Sequence, residues 1–170
     1  IEITEDNLSD TLYADACFTR LNDISLNVVV ADCVPILLYD RVQNVVGVIH
    51  AGWRGSAGKI LEKTLSFLQE THTSKMEDVI IFIGPSISQE YYEIGSEVAE
   101  LFSESIIQSD GKYFLDIKGE NLRQALAYGV LRENIELSHE CTYKLSEKYF
   151  SYRRERIKAN FVCGIGLKTH

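Results

Sequence analysis

Two apolar runs on either side of a short polar turn constrain this chain more than any other feature. The stretch Val28–Gly55 reads VVVADCVPILLYDRVQNVVGVIHAGWRG, and its turn-like segment is DRVQN, Asp40 to Asn44. An antiparallel hairpin centred there pairs residues whose numbers sum to about 85. His50 then falls opposite position 35, and Cys33 opposite position 52. Both side chains sit at the open end of the ladder. Opposed Cβ atoms lie roughly 5 Å apart and diagonal ones roughly 7–8 Å, so a thiolate and an imidazole placed there can share one metal ion. Pro35 cannot donate to a ladder and marks an edge or a bulge, features common beside active sites. Asp32, next to Cys33, either orients a ligand or stays solvated.

The chain continues from His50 through Ala51-Gly52-Trp53-Arg54-Gly55 toward a helix. Glycines permit backbone angles that other residues resist. A helix start presents unpaired N–H groups to an anion, with Ser56 as N-cap. Arg54 adds a guanidinium that holds a phosphate or carboxylate with two hydrogen bonds. Lys59 in the first turn is disfavoured unless an anion lies near. Trp53 is either a platform for a flat ring or a core plug. A soft-ligand pair followed by an anion-friendly turn points to metal-assisted chemistry on a phosphate-linked or phosphate-requiring substrate.

The remaining chain alternates strands and helices. Strands are expected at Ala14–Thr19, in SLNVVVADC with PILLYD as one interrupted strand, in NVVGVIH, DVIIFIGP and YFLDI, and in IELSHECTY and NFVCGIGL. A helix is expected from Ala57 to Glu70, where Ile60, Leu61, Thr64, Leu65 and Leu68 share a face. Others are expected from Ser96 to Phe102 and in GENLRQALAYG, closed by Gly129. KYFSYRRE reads as partly extended. The strands cluster too densely for a βαβ repeat. The fold class is α+β, with mixed β-sheets and helices outside.

The 170 residues fit one domain, and 45% hydrophobic content supplies a core. A formal net charge of −8, from 17 basic and 25 acidic residues, argues against a nucleic-acid partner. No apolar run approaches the roughly 20 residues that cross a bilayer, so no membrane partner is expected. Cys17, Cys33, Cys141 and Cys163 form no C-x-x-C pair, which favours free thiols in a reducing compartment, the cytoplasm.

The motifs ADCVPILLYD, GVIHAGWRGSAGKILEKTL, IGPSISQEYYEIG and CTYKLSEKYFSYRRE, in that order, resemble the YfiH family. It is also called the laccase-domain or multicopper polyphenol oxidoreductase family. YADACFT, Tyr13 to Thr19, resembles the family's segment before the cysteine strand. The resemblance spans nearly the whole chain and implies a four-layer α/β/β/α sandwich. It implies a zinc site of two histidines and a cysteine, in which Cys33 and His50 are the metal-binding and catalytic pair. Copper is the alternative metal. The implied activity is phosphorolysis of adenosine, inosine, guanosine and methylthioadenosine by inorganic phosphate, with adenosine deamination. Purine nucleoside and phosphate are thus the expected partners. Arg54, Ser56 and Arg153 are the candidate phosphate contacts, with Arg154 as the alternative to Arg153. In extended chain only one of those two faces the site. Tyr92 and Trp53 are candidates to stack on the base.

The family's first histidine lies in a Q-V-H-type motif upstream of Ile1. The chain is therefore expected to be a domain, residues 1–170, lacking its N-terminal segment. His72, His139 and His170 do not sit in that motif; His139, two residues from Cys141, is the substitute to consider. Three rival classes compete. A copper polyphenol oxidase needs several histidine ligands. A Cys/His hydrolase acting on cell-wall peptides uses the same pair without metal. A non-catalytic binding module follows if the third ligand is lost.

Overall fold

The computed structural model describes residues 1–169, so His170 lies outside the described residues. The fold is mixed α/β with mixed sheets. The central sheet has six strands: β1 (Glu2–Ile3), β2 (Ala16–Thr19), β4 (Val34–Asp40), β5 (Val45–Ala51), β6 (Val79–Ile83) and β10 (Ile135–Leu137), in the order β1-β2-β5-β4-β6-β10. The remaining named strands are β3 (Ser25–Val30), β7 (Glu93–Ile94), β8 (Ile106–Ser109), β9 (Lys112–Leu115) and β11 (Phe161–Gly166). β3 and β11 form an antiparallel pair, and β7-β9-β8 a small three-stranded sheet. The helices are α1 (Trp53–Ala57), α2 (Ile60–His72), α3 (Ser96–Ala99), α4 (Ile117–Ala127) and α5 (Tyr152–Glu155).

Alternation along the central strands separates two cores. Val45, Ile49 and Ala51 of β5 join Ile36 and Leu38 of β4 in the larger core, with Leu61, Leu65 and Leu68 of α2 and Ala125 of α4. Those three leucines are wholly buried. Each contributes about 1.5–3 kcal/mol by leaving water, and this pins α2 to the sheet. Val46 and Val48 of β5 point the other way, into a smaller core with Leu26, Val28 and Val30 of β3. Cys33, Leu37, Tyr39 and Cys163 pack against that second core. The helices and the β3–β11 pair thus pack on opposite faces of the central sheet.

The hairpin forms with the expected register: Pro35 pairs with His50 and Val34 with Ala51. Four expectations change. SLNVVVADC and PILLYD are not one strand. Asp32 takes a positive φ of 86°, the chain turns, and β3 joins β11 while β4 joins the central sheet. The helix expected at Ala57–Glu70 splits into α1 and α2, because Lys59 adopts a left-handed conformation after Gly58. Gly52, not Ser56, occupies the N-cap position of α1. Only Ile135–Leu137 of IELSHECTY is a strand; further on, Cys141 makes an isolated bridge to Ser86. No helix among the described residues is long and apolar enough to cross a membrane.

Candidate active site

His50 ends the β5 face that points toward the second core, and Cys33 lies just before β4 begins. The two meet over Gly52. A Cβ placed on Gly52 would lie 3.1 Å from Cys33 Sγ and 3.9 Å from His50 Cε1 and Nε2. The hairpin pairing therefore brings thiol and imidazole together, and a residue without a Cβ leaves the gap between them.

Asp15 completes the arrangement and escaped the sequence reading. Its Oδ1 lies 3.0 Å from His50 Nδ1, and its backbone carbonyl accepts the His50 amide at 2.7 Å. β2 and β5 pair Ala16 with Ile49, so Asp15 and His50 are the next opposed positions. The one available signal was an acid directly before the Ala16–Thr19 strand. The side-chain contact fixes the ring's direction and directs Nε2 to the Cys33 side. The Cys33 thiol, as hydrogen-bond partner, and then Asp15 hold the imidazole up to about 9 against the opposing effect of burial.

Tyr92 is the neighbour on the other side. Burial pushes its hydroxyl up to about 12; Cys33 and Asp32 push the same way, while Arg153 and Arg54 oppose. Arg153 lies over the Tyr92 ring, Cζ 5.5 Å from the centroid. Arg54 is exposed and stacks on Trp53 at 4.0 Å. A cleft of about 470 Å³ opens here, lined by Trp53, Tyr92, Glu97 and Arg153 among others. Cys33, Arg153 and Arg54 all act on Tyr92, while the cleft itself is lined by Trp53, Tyr92 and Arg153 and by neither Cys33 nor His50.

The other candidates sit elsewhere. Ser56 is fully buried; its hydroxyl accepts Asn121 Nδ2 at 2.9 Å and its carbonyl accepts Gln124 Nε2 at 2.9 Å. It ties α1 to α4 and does not reach the cleft. With five residues, α1 is too short for its dipole to hold an anion. Arg154 donates to the carbonyls of Thr142, Tyr143 and Tyr149, which makes it structural. It leaves Arg153 to face the site because the segment is a helical turn, not extended chain. Asp32 is not solvated: it is buried, with three donors on its carboxylate. His72 lies 3.4 Å from Glu2 and edge-on to Phe18. His139 lines a separate cavity of about 690 Å³ with Lys118 and Phe114, so it does not substitute at the site.

Thiol and imidazole are zinc donors, and a carboxylate on the second imidazole nitrogen is the usual support of a ligating histidine. The pair fits zinc in kind and direction. A catalytic zinc takes three protein ligands. Among the described residues, no group of three or more His, Cys, Asp or Glu is placed to hold a metal ion.

Residues 1–168 match the model of the family described as multi-copper polyphenol oxidoreductase laccase. The chain is similar to a purine nucleoside phosphorylase of Bacteroides thetaiotaomicron, 36% identical over 165 residues, covering 92% of this chain and 61% of that protein. It is 34% identical over 149 residues to adenosine deaminase RL5 of an unknown prokaryotic organism, covering 82% of this chain and 56% of that protein. The crystal structure of Bacillus licheniformis hypothetical protein YfiH superposes with a TM-score of 0.93 at 27% identity, covering 99% of this chain and 70% of that one. The chain thus spans about three fifths of the Bacteroides relative's length. With motifs, fold and family model in agreement, the chain belongs to the multi-copper polyphenol oxidoreductase laccase family.

Proposed function

We propose that this domain carries the catalytic core of a zinc-dependent purine nucleoside phosphorylase that also deaminates adenosine. The observation that supports it most is the meeting of Cys33 and His50 over Gly52, beside a cleft bearing Trp53, Tyr92 and Arg153. Cys33 and His50 would hold the zinc, with a third donor from outside the described groups. A zinc ion held there would supply Lewis-acid polarisation of a substrate atom or an activated water.

The chain's own residues set up the rest. Arg54 and Arg153 draw phosphate to the cleft and spread its charge over two guanidinium groups. Trp53 and Tyr92 offer ring faces to the purine. The Tyr92 hydroxyl, pushed up to about 12, remains a hydrogen-bond donor at neutral pH. In phosphorolysis a phosphate oxygen bonds to the sugar carbon, the carbon–nitrogen bond to the base breaks, and its electron pair leaves with the base. Adenosine, inosine, guanosine and methylthioadenosine are the proposed substrates, and the cytoplasm the proposed compartment. Phosphate-dependent release of base from inosine or adenosine tests the reading directly.

A second reading draws on the Asp15–His50–Cys33 chain. Nucleophile, base and orienting carboxylate stand in that order, as in a metal-free cysteine hydrolase. Removal of metal separates the two: the hydrolase keeps its activity and the phosphorylase loses it. A copper polyphenol oxidase is disfavoured because His72 and His139 lie apart from His50.

A further inference from the structure

Asp32 stands where four segments of the chain converge. Its Oδ1 accepts the Thr142 hydroxyl at 2.7 Å, and its Oδ2 accepts the Ser151 hydroxyl at 3.0 Å and the Arg153 amide at 2.7 Å. Its backbone carbonyl accepts the Ile87 amide at 3.1 Å. It is 8% exposed and has a positive φ of 86°, a conformation that Asp tolerates better than most residues. The next residue is Cys33. Ile87 opens the segment that leads to Tyr92, and Ser151 with Arg153 opens α5.

We infer that Asp32 is a positioning residue that sets the Cys33 thiol and the Arg153 guanidinium in fixed relation to each other. The two groups lie far apart in sequence and on elements that share no sheet. Asp32 bridges them: it directly precedes Cys33, and its carboxylate accepts the Arg153 amide. It holds α5 by the backbone amide of Arg153 itself, so α5 cannot shift without leaving a buried acceptor short of a donor. The left-handed turn at the same residue aims Cys33 away from the path of β3 and onto Gly52. One side chain thus sets the metal-ligand arm and the anion arm together.

The readout that does not depend on the proposed activity is alkylation of Cys33 in metal-free protein, followed by peptide mass spectrometry, with half-buried Cys17 and Cys163 as internal controls. The variants are Asp32→Ala, Asp32→Asn and Ser151→Ala, each compared well below its own unfolding midpoint. Asp32→Ala is expected to change the Cys33 rate at least fivefold while the control rates stay within twofold. Asp32→Asn should recover most of the wild-type rate, because the Thr142 hydroxyl can turn to accept from the new amide. Rates that move together at all three cysteines, or a Cys33 rate within twofold of wild type, overturn the inference.

The anion arm rests on the phosphorylase reading and is measured separately. Ser151→Ala, the variant to use if Asp32→Ala does not fold, should raise the KM for inorganic phosphate three- to tenfold with kcat within twofold. An unchanged KM overturns the link to Arg153. A wild-type protein without phosphate-dependent activity overturns the phosphorylase reading instead, and the alkylation rates still decide the role of Asp32.

Discussion

Asp15 Oδ1 lies 3.0 Å from His50 Nδ1 across the β2–β5 pair, so one strand supplies the imidazole and its neighbour supplies the carboxylate that directs it. If that contact serves metal binding, Asp15→Ala should weaken zinc affinity by about 10- to 100-fold. Asp15→Asn, which keeps an acceptor for Nδ1–H, should lose less. Competition with a chromogenic chelator measures both, and equal affinities in wild type and Asp15→Ala would count against the role.

The same contact sets a pH dependence. In metal-free protein the folded state holds His50 up to about 9, from an ordinary 6.5, through Cys33 first and Asp15 second. A raised value means that the folded state binds the proton more tightly. The stabilisation is complete below about pH 6.5 and disappears as pH rises through about 9. Melting temperatures across that window should decline less in Asp15→Ala, and less again in Cys33→Ala, than in wild type. Parallel curves would contradict the assignment. Zinc competes with the same proton, so its affinity should climb with pH through the same range.

Gly52→Ala places a methyl group 3.1 Å from Cys33 Sγ. The backbone there has φ −76°, which any residue adopts, and the thiol can rotate away. Stability should therefore fall by no more than about 1 kcal/mol, while zinc affinity and turnover fall at least tenfold. Thermal melts beside metal titration test this; a variant with wild-type zinc affinity would show that the gap over Gly52 is not used.

Ser56→Ala should behave in the opposite way. Its hydroxyl is buried against Asn121 Nδ2, which also donates to the Ile117 carbonyl at 2.8 Å. Loss of the hydroxyl should cost about 1 kcal/mol of stability and leave the KM for phosphate unchanged. A raised KM with unchanged stability would return Ser56 to the site.

The sequence made the hairpin legible because its register depends only on a short turn and two apolar runs, and Pro35 does pair with His50. Asp15 was not legible. Its partner lies 35 positions away, and the register between β2 and β5 has no local turn to set it. The break at Asp32 was hidden for a similar reason: β3 leaves the hairpin to pair with β11, more than a hundred residues on. Gly58 was a readable sign that the helix would split, but the apolar periodicity of Ile60 to Leu68 masked it. Once the helix is divided, Ser56 turns inward, toward Asn121 and Gln124. Arg153 is set apart from Arg154 only by the fold, which ties Arg154 to the Thr142, Tyr143 and Tyr149 carbonyls and lays Arg153 over Tyr92.

The measurement closest to the central claim is base release from inosine and adenosine by metal-loaded, full-length protein, with and without inorganic phosphate. Free base together with pentose 1-phosphate is expected only when phosphate is present, and both are expected to disappear in Cys33→Ala. Base release that ignores phosphate, or full activity in Cys33→Ala, would contradict that claim.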